Sequence, residues 1–376
     1  MIGPTYPFRG GIAHYTTLLA RHLQEQEDTL FISFTRQYPR WLFPGRSDRD
    51  PSPNPLQTNA EYLLDPLNPL SWRRTLHRIR EWQPEIVVIP WWVPFWMPTW
   101  AFLGRGIKRL PNRPTLLFIC HNVLPHEKSL FDRTAVRLAL AAGDGYVVHA
   151  QPDAEKLRRI FPQARVQVTP LPTYASLAAN TNQKLPVTVP SDRPLLLFCG
   201  FVRPYKGLDV LLDALPLVLT ERPVHLLVAG EFWSRNAPYY GQIARLGLEN
   251  DVIVLNRYLT NEELSACIAQ ADVVVLPYRS ATQSAVIQAA FGQNTPVITT
   301  NVGGLPEVVD DGRTGLIVPP ENPPLLAQAI NRFFAEALGP EMSRQIAEQS
   351  GRFSWQRLVD ALLTLGREGG QELGDW

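Results

Sequence analysis

LPYRSATQSAVIQAAFGQNTPVITTNVGGLPEVVDDGRTG, Leu276 to Gly315, carries the reading of the fold. An apolar strand, Val273 to Leu276, enters a polar turn, Pro277 to Gln283. A short apolar helix follows from near Ser284, and then a second strand, Pro296 to Thr299, which ends in Gly303-Gly304. The spacing therefore predicts two consecutive strand-to-helix turns. Each turn leaves backbone N–H groups outside any ladder and directs a helix dipole outward, which is how a doubly wound sheet holds phosphate at the carboxyl ends of its strands. Taken alone, the stretch also fits two ordinary βα units of an α/β core.

The rest of the chain sets the scale. Its 376 residues predict two domains, each large enough to bury a core. With 45% hydrophobic and 19% charged residues the composition is that of a globular protein, which excludes overall disorder. The net charge of +1 is unevenly spread: residues 1–190 hold 22 Lys and Arg against 14 Asp and Glu, and residues 191–376 hold 14 against 21. That asymmetry suits attraction between two halves across a cleft, attraction of the first half to an anionic membrane or acceptor, or simply two solvated faces. Cys120, Cys199 and Cys267 share no metal or redox spacing and read as buried, reduced thiols of a cytoplasmic protein. No signal peptide is expected, and no apolar run reaches the ~20 residues that span a bilayer.

In chain order, Met1-Ile2 is a short first strand ahead of a Gly-rich turn, and Gly10-Gly11 stands before a helix apolar at Ile12, Tyr15, Leu18, Leu19 and Leu23. Residues 36–70 read as a long loop. Asp48-Arg49-Asp50 within it has a carboxylate spacing known from metal sites, but it follows no strand, so no metal is assigned. Leu70 to Trp82 is a basic helix whose Arg73, Arg74, His77, Arg78 and Arg80 read as a solvated face. Strand Glu85 to Pro90 opens into Trp91-Trp92-Val93-Pro94-Phe95-Trp96-Met97-Pro98-Thr99-Trp100, too broken by proline for one helix. Trp92 and Trp96 either line an acceptor site by stacking on sugar rings or form local core. Strand Thr115 to Cys120 delivers His121 to its carboxyl end, where a crevice histidine is more often functional than structural. His126 and Glu127 line the acceptor side or cap a helix. Residues 181–192, polar and proline-bearing, form the linker between residues 1–180 and 193–338, and residues 339–376 are helical. After strand Leu195 to Phe198, the turn GFVRPYKG places Arg203 and Lys206 ahead of an amphipathic helix, a setting for a diphosphate.

From Leu276 to Pro320 the pattern LPxxx…QAAxGxxPVIxTxVGGLPEVVxDGxTGLIVPP resembles the donor half of retaining, nucleotide-sugar-dependent glycosyltransferases of the GT-B fold, family 4 or group 1. The resemblance implies two Rossmann-like doubly wound α/β domains facing a cleft, a last helix crossing back to the first domain, and no resident cofactor or metal. It implies that Gly10 and Gly11 lie against the donor phosphates and that His121 contacts the donor sugar near the reacting carbon. Arg203 and Lys206 then meet the diphosphate, with Lys206 the firmer match, and Gly230 and Tyr258 end strands near the base and ribose. Most relatives carry two glutamates eight positions apart on the Leu276 turn and helix, where this chain has Ser280 and Gln288. The donor site would therefore rest on Ser280, Ser284, Ala285, Val286 and Gln288, through hydroxyls, backbone N–H groups and an amide.

The expected activity is transfer of a sugar from a nucleotide diphosphate sugar to a glycan or lipid-linked acceptor in cell-envelope synthesis, at the inner face of a membrane and without nucleic acid. The missing glutamates keep open a second reading, a GT-B-like subunit that binds a nucleotide or a partner without turnover. A dinucleotide oxidoreductase is disfavoured, since no Gly-x-Gly-x-x-Gly turn with a downstream acidic partner appears.

Overall fold

The computed structural model describes residues 1–39, 41–43, 45–124, 132–175, 184–233 and 236–371. Two units share the chain: Met1–Asp50, Pro55–Pro170 and Trp355–Trp376 make the first, and Pro51–Asn54 with Leu171–Ser354 the second. The change of unit at 170/171 falls ahead of the linker expected at 181–192, whose last residue is held by the second unit through Asp192 and His225, 3.2 Å apart. Residues 339–354 stay with the second unit rather than returning with the last helix.

The first unit runs α1 (Gly11–Gln24), β1 (Ile32–Phe34), β2 (Glu61–Leu64), α2 (Pro69–Trp82), β3 (Ile86–Trp91), α3 (Met97–Ile107), β4 (Thr115–Cys120), α4 (Asp132–Leu140), β5 (Gly145–Val148), α5 (Gln151–Ile160) and β6 (Val166–Val168). Its strands pair in parallel in the orders β1-β2 and β3-β4-β5-β6. Ile2 bridges the two sets: its N–H donates to Val88 O at 2.9 Å, and Ile32 N–H donates to Met1 O at 2.9 Å. The short first strand thus lies between β1 and β3.

Two expectations are corrected here. Residues 36–70 are not all loop, because Glu61-Tyr62-Leu63-Leu64 pairs with β1; four residues, of which only Leu64 is buried, carry too little alternation to announce a strand. The tryptophans are core rather than an acceptor lining. Trp96 and Trp100 are 0% exposed and stack at 5.3 Å, and Trp92 is 6% exposed with its indole N–H on the Tyr38 hydroxyl at 2.6 Å. Pro98 is tolerated because it sits in the first turn of α3, where an N–H has no partner to lose.

The second unit runs β7 (Leu195–Cys199), α6 (Leu208–Leu219), β8 (His225–Ala229), α7 (Ala237–Arg245), β9 (Val252–Leu255), α8 (Asn261–Gln270), β10 (Val273–Leu276), α9 (Ala285–Phe291), β11 (Val297–Thr300), β12 (Gly315–Val318), α10 (Pro323–Ala335) and α11 (Gly339–Glu348). All six strands are parallel, in the order β12-β11-β10-β7-β8-β9. LLLFC, HLLVA and VVVL are buried at every position, as a sheet covered by helices on both faces demands. Helix α12 (Trp355–Gln371) closes the chain on the first unit, where Leu358, Val359, Leu362 and Leu365 are buried and α1 and β4 are its neighbours. Gly366 permits that contact, since a Cβ there would stand 2.4 Å from Ile86 Cδ1.

Candidate active site

The strand order of the second unit reverses between β7 and β10. In such a sheet ligands bind outside the carboxyl ends of the strands that flank the reversal, because the two connections diverge and leave a crevice. Here those ends carry Gly200–Gly207 after β7 and Pro277–Ser284 after β10.

The two loops are bound to each other. Gly207 has φ +70°, and a Cβ on it would lie 2.0 Å from Pro277 O, so only glycine fits. Arg279 N–H donates to Tyr205 O at 2.7 Å, and its guanidinium reaches Pro204 O at 2.8 Å and both Asp209 carboxylate oxygens at 2.8 and 2.6 Å. The turn after β11 leans on the same loop: Gly303 has φ +55°, a Cβ there would meet Ala281 O at 1.6 Å, and Gly304 N–H donates to Thr282 O at 3.1 Å.

Lys206 lies within this frame. It is 8% exposed, with Nζ 3.0 Å from the place of a Cβ on Gly200 and 5.4 Å from the centre of the Tyr278 ring. No carboxylate pairs with it among the described residues. Burial, with a smaller contribution from the Arg203 charge, lowers its pKa from 10.5 to about 8. Arg203 stacks between the Tyr205 and Trp233 rings at 5.5 and 5.9 Å. On α9, Ser284 caps the helix, its Oγ accepting from Ile287 N–H at 3.3 Å, with Ala285 and Val286 following in the first turn. Gln288 is 0% exposed, and neither Nε2 nor Oε1 has a hydrogen-bond partner among the described residues. A buried amide in that state costs roughly 1–3 kcal/mol per unmet group, a cost that a hydroxyl-bearing ligand removes.

Gly230 is placed by packing, a Cβ there meeting Gly200 O at 1.9 Å. Tyr258 belongs to an aromatic row past β7, β8 and β9, with Phe201–Trp233 centroids at 4.1 Å and Phe201–Tyr258 at 5.8 Å. The sequence reading missed Phe201, Trp233 and Arg279. Their only signal is position, a few residues past the carboxyl end of an apolar strand.

The remaining expected residues belong to the first unit. Gly10 caps α1 at φ 100°, and Gly11 is its first residue. His121 follows β4, its N–H on Trp91 O at 2.8 Å and its ring edge-on to Tyr15 at 4.5 Å. Its Nε2 has no hydrogen-bond partner among the described residues, and burial, with the nearby His149, holds its pKa well below the ordinary value, which favours the neutral imidazole. His126 and Glu127 lie outside the described residues. Asp48 and Asp50 are engaged with Arg49 and His14, and no cluster of three or more metal-ligating side chains appears among the described residues.

Two parallel α/β units in one chain, the second a doubly wound sheet, are of the two-Rossmann-domain, GT-B class. Comparison with known proteins carries this to the family. The family model described as "Glycosyl transferases group 1" matches residues 193–336, and that described as "Glycosyl transferase 4-like domain" matches residues 10–172. The chain belongs to the group 1, family 4 glycosyltransferases. A D-inositol 3-phosphate glycosyltransferase of Saccharomonospora viridis is 31% identical over 246 residues, 61% of this chain and 56% of that protein. The chain thus spans little more than half that relative's length. An alpha-D-kanosaminyltransferase of Streptomyces kanamyceticus is 27% identical over 272 residues, 69% of this chain and 68% of the other. Among solved structures, a glycosyltransferase of Rickettsia africae superposes with a TM-score of 0.71 at 18% identity, covering 100% and 98% of the two chains. Anabaena HepE, solved with UDP, gives 0.69 at 18% identity, covering 100% and 99%. These likenesses bear on the fold.

Proposed function

We propose that the protein is a retaining glycosyltransferase that moves a sugar from a nucleotide diphosphate sugar to a glycan or lipid-linked acceptor without a metal ion. The observation that carries this reading is Lys206, a cation buried at the switch point with no carboxylate among the described residues to neutralise it. Its charged form is favoured by an anion nearby, and the family to which the chain belongs makes a diphosphate the fitting one.

In the step itself the bond from the anomeric carbon to the diphosphate oxygen breaks, and a bond from that carbon to the acceptor oxygen forms on the same face. The departing phosphate takes the acceptor proton, and the electron pair of the broken bond stays on its oxygen. Lys206 and Arg203 hold the negative charge that grows there, a preorganised stabilisation worth several kcal/mol in a dry site. Gln288 meets a donor hydroxyl, and neutral His121 offers a hydrogen bond to the sugar. The relatives named for glycosyl transfer, and HepE solved with UDP-glucose, support the reaction class. The basic first half supports an anionic, membrane-borne acceptor in cell-envelope synthesis. No helix among the described residues is long and apolar enough to cross a membrane.

One observation favours a second reading. Positions 280 and 288, where the resemblance implies two glutamates in most relatives, hold Ser280 and Gln288, which fits a subunit that binds a nucleotide without turnover. Incubation with UDP-, GDP-, ADP- and TDP-sugars, following nucleotide release and thermal stabilisation, separates the two. Release with one donor, lost in Lys206→Ala, supports the transferase. Stabilisation without release, with lipid and glycan acceptors present, selects the binding subunit.

A further inference from the structure

Outside the candidate active site, the first unit carries a groove of about 730 Å³ between α2, α3 and α4. Trp72, Leu76, Ala101, Phe102 and Leu110 line it, and the helices meet there closely: Trp72 and Phe102 centroids are 5.7 Å apart, and a Cβ on Gly106 would stand 2.5 Å from Leu76 Cδ2. Arg73 and Arg80 line it from α2, and Arg105 from α3 with Arg109 from the turn just after it, so arginines line the groove from both sides. No aspartate or glutamate lines it among the described residues. Elsewhere on α2, Arg78 is tied to Glu61 at 2.7 Å, and His77 meets Glu81 at 3.1 Å. Arg73, Arg80, Arg105 and Arg109 are exposed and have no carboxylate partner among the described residues. Leu138, also in the lining, is 41% exposed, and Leu70 at the start of α2 is 59% exposed.

A solvated face needs no apolar floor, and a site for a soluble polyanion needs no exposed leucines. Arginines with apolar stems flanking an aromatic floor match the boundary of a bilayer, where phosphates sit above acyl carbons. We infer that this groove seats the protein on an anionic bilayer surface, with lipid phosphates between the two arginine rows and acyl carbons against Trp72, Phe102 and Leu138. This deepens the membrane-borne acceptor reading by assigning the contact surface to α2, α3 and α4.

The test is sedimentation of the full chain with phosphatidylcholine vesicles, with and without phosphatidylglycerol, at low and high salt. Partition to the anionic vesicles is expected, falling as salt rises. Arg105→Gln with Arg109→Gln removes two exposed charges and is expected to weaken partition by about thirty-fold, at roughly five-fold per charge. Arg158→Gln with Arg159→Gln, an equal charge change on α5, is expected to stay within about three-fold of the wild type. Leu138→Asn is expected to weaken partition several-fold. Equal binding to neutral vesicles, no binding at all, or equal losses in the two double variants overturns the inference. So does an unaffected Leu138→Asn, which would mark a polyanion site instead. Donor stabilisation, measured on the same proteins, keeps the two readings apart: vesicle binding without donor binding defeats the transferase alone, and the reverse defeats the groove alone.

Discussion

Replacing Lys206 by Met separates binding from folding. The aliphatic stem stays and the ammonium goes. In the ligand-free protein the ammonium is held against burial that lowers its pKa from 10.5 to about 8, a difference of roughly 3 kcal/mol at about 1.4 kcal/mol per unit. Lys206→Met should therefore stabilise the empty protein at pH 7 by an amount on the order of 3 kcal/mol. Because the folded pKa lies below the unfolded one, the unfolded state holds more protons between pH 8 and 10.5, and the wild type gains stability as pH rises through that window. The variant lacks that gain. Donor binding moves the other way. A diphosphate beside Lys206 favours the charged form, so its loss should cost about 3–5 kcal/mol of affinity, roughly a hundred- to several-thousand-fold. At pH 8.5 the wild type should take up a fraction of a proton on binding and Lys206→Met none. Calorimetry of the donor in buffers of different ionisation enthalpy reads affinity and proton uptake together, and denaturant unfolding reads stability. Donor affinity within three-fold of wild type, or a less stable empty variant, would refute the placement of the diphosphate at Lys206.

Gln288→Leu should raise the stability of the ligand-free protein by about 1–3 kcal/mol, by removing two buried amide atoms without partners, while weakening donor binding; denaturant unfolding and a donor titration check the two halves. Trp96→Ala should cost about 3–5 kcal/mol, as a fully buried indole in contact with Trp92 and Trp100 does, and circular dichroism melts should show it whether or not an acceptor is present. His149, its Nδ1 2.8 Å from Thr169 O, has its pKa lowered by burial from 6.5 to about 4, so the unfolded state binds the extra proton between those values. Stability should then fall by about 3 kcal/mol as pH drops from 6.5 to 4, and His149→Gln should flatten that part of the unfolding profile.

The local order of the second unit was legible because its strands are unbroken apolar runs and its turns are marked by Gly, Pro and polar residues. VVVL before Pro277, the helix start at Ser284 and the strand after Pro296 were read to within a residue. Lys206 was legible for the same reason, as a cation just past an apolar strand. Other elements gave weaker signals. Glu61–Leu64 became a strand only by pairing with β1, and the tryptophans from Trp91 to Trp100 could be assigned to core only once β3 and α3 were folded around them.

The sequence by itself determined the α/β class and most βα boundaries, because hydrophobic period and turn chemistry act over a few residues; the family was legible in the resemblance of the Leu276–Pro320 pattern to known relatives. Tertiary structure alone decided the rest: the strand order that puts β7 against β10, the Arg279 clamp onto Asp209, the pairing of Phe201 with Trp233 and Tyr258, the burial of Lys206, and the burial that leaves the Gln288 amide without a hydrogen-bond partner among the described residues. These depend on contacts between residues far apart in the chain: Arg279 and Asp209 are 70 positions apart, and Leu195 and Asp272 at the β7–β10 seam are 77. Strand adjacency and desolvation are properties of the assembled sheet, and no local pattern encodes them.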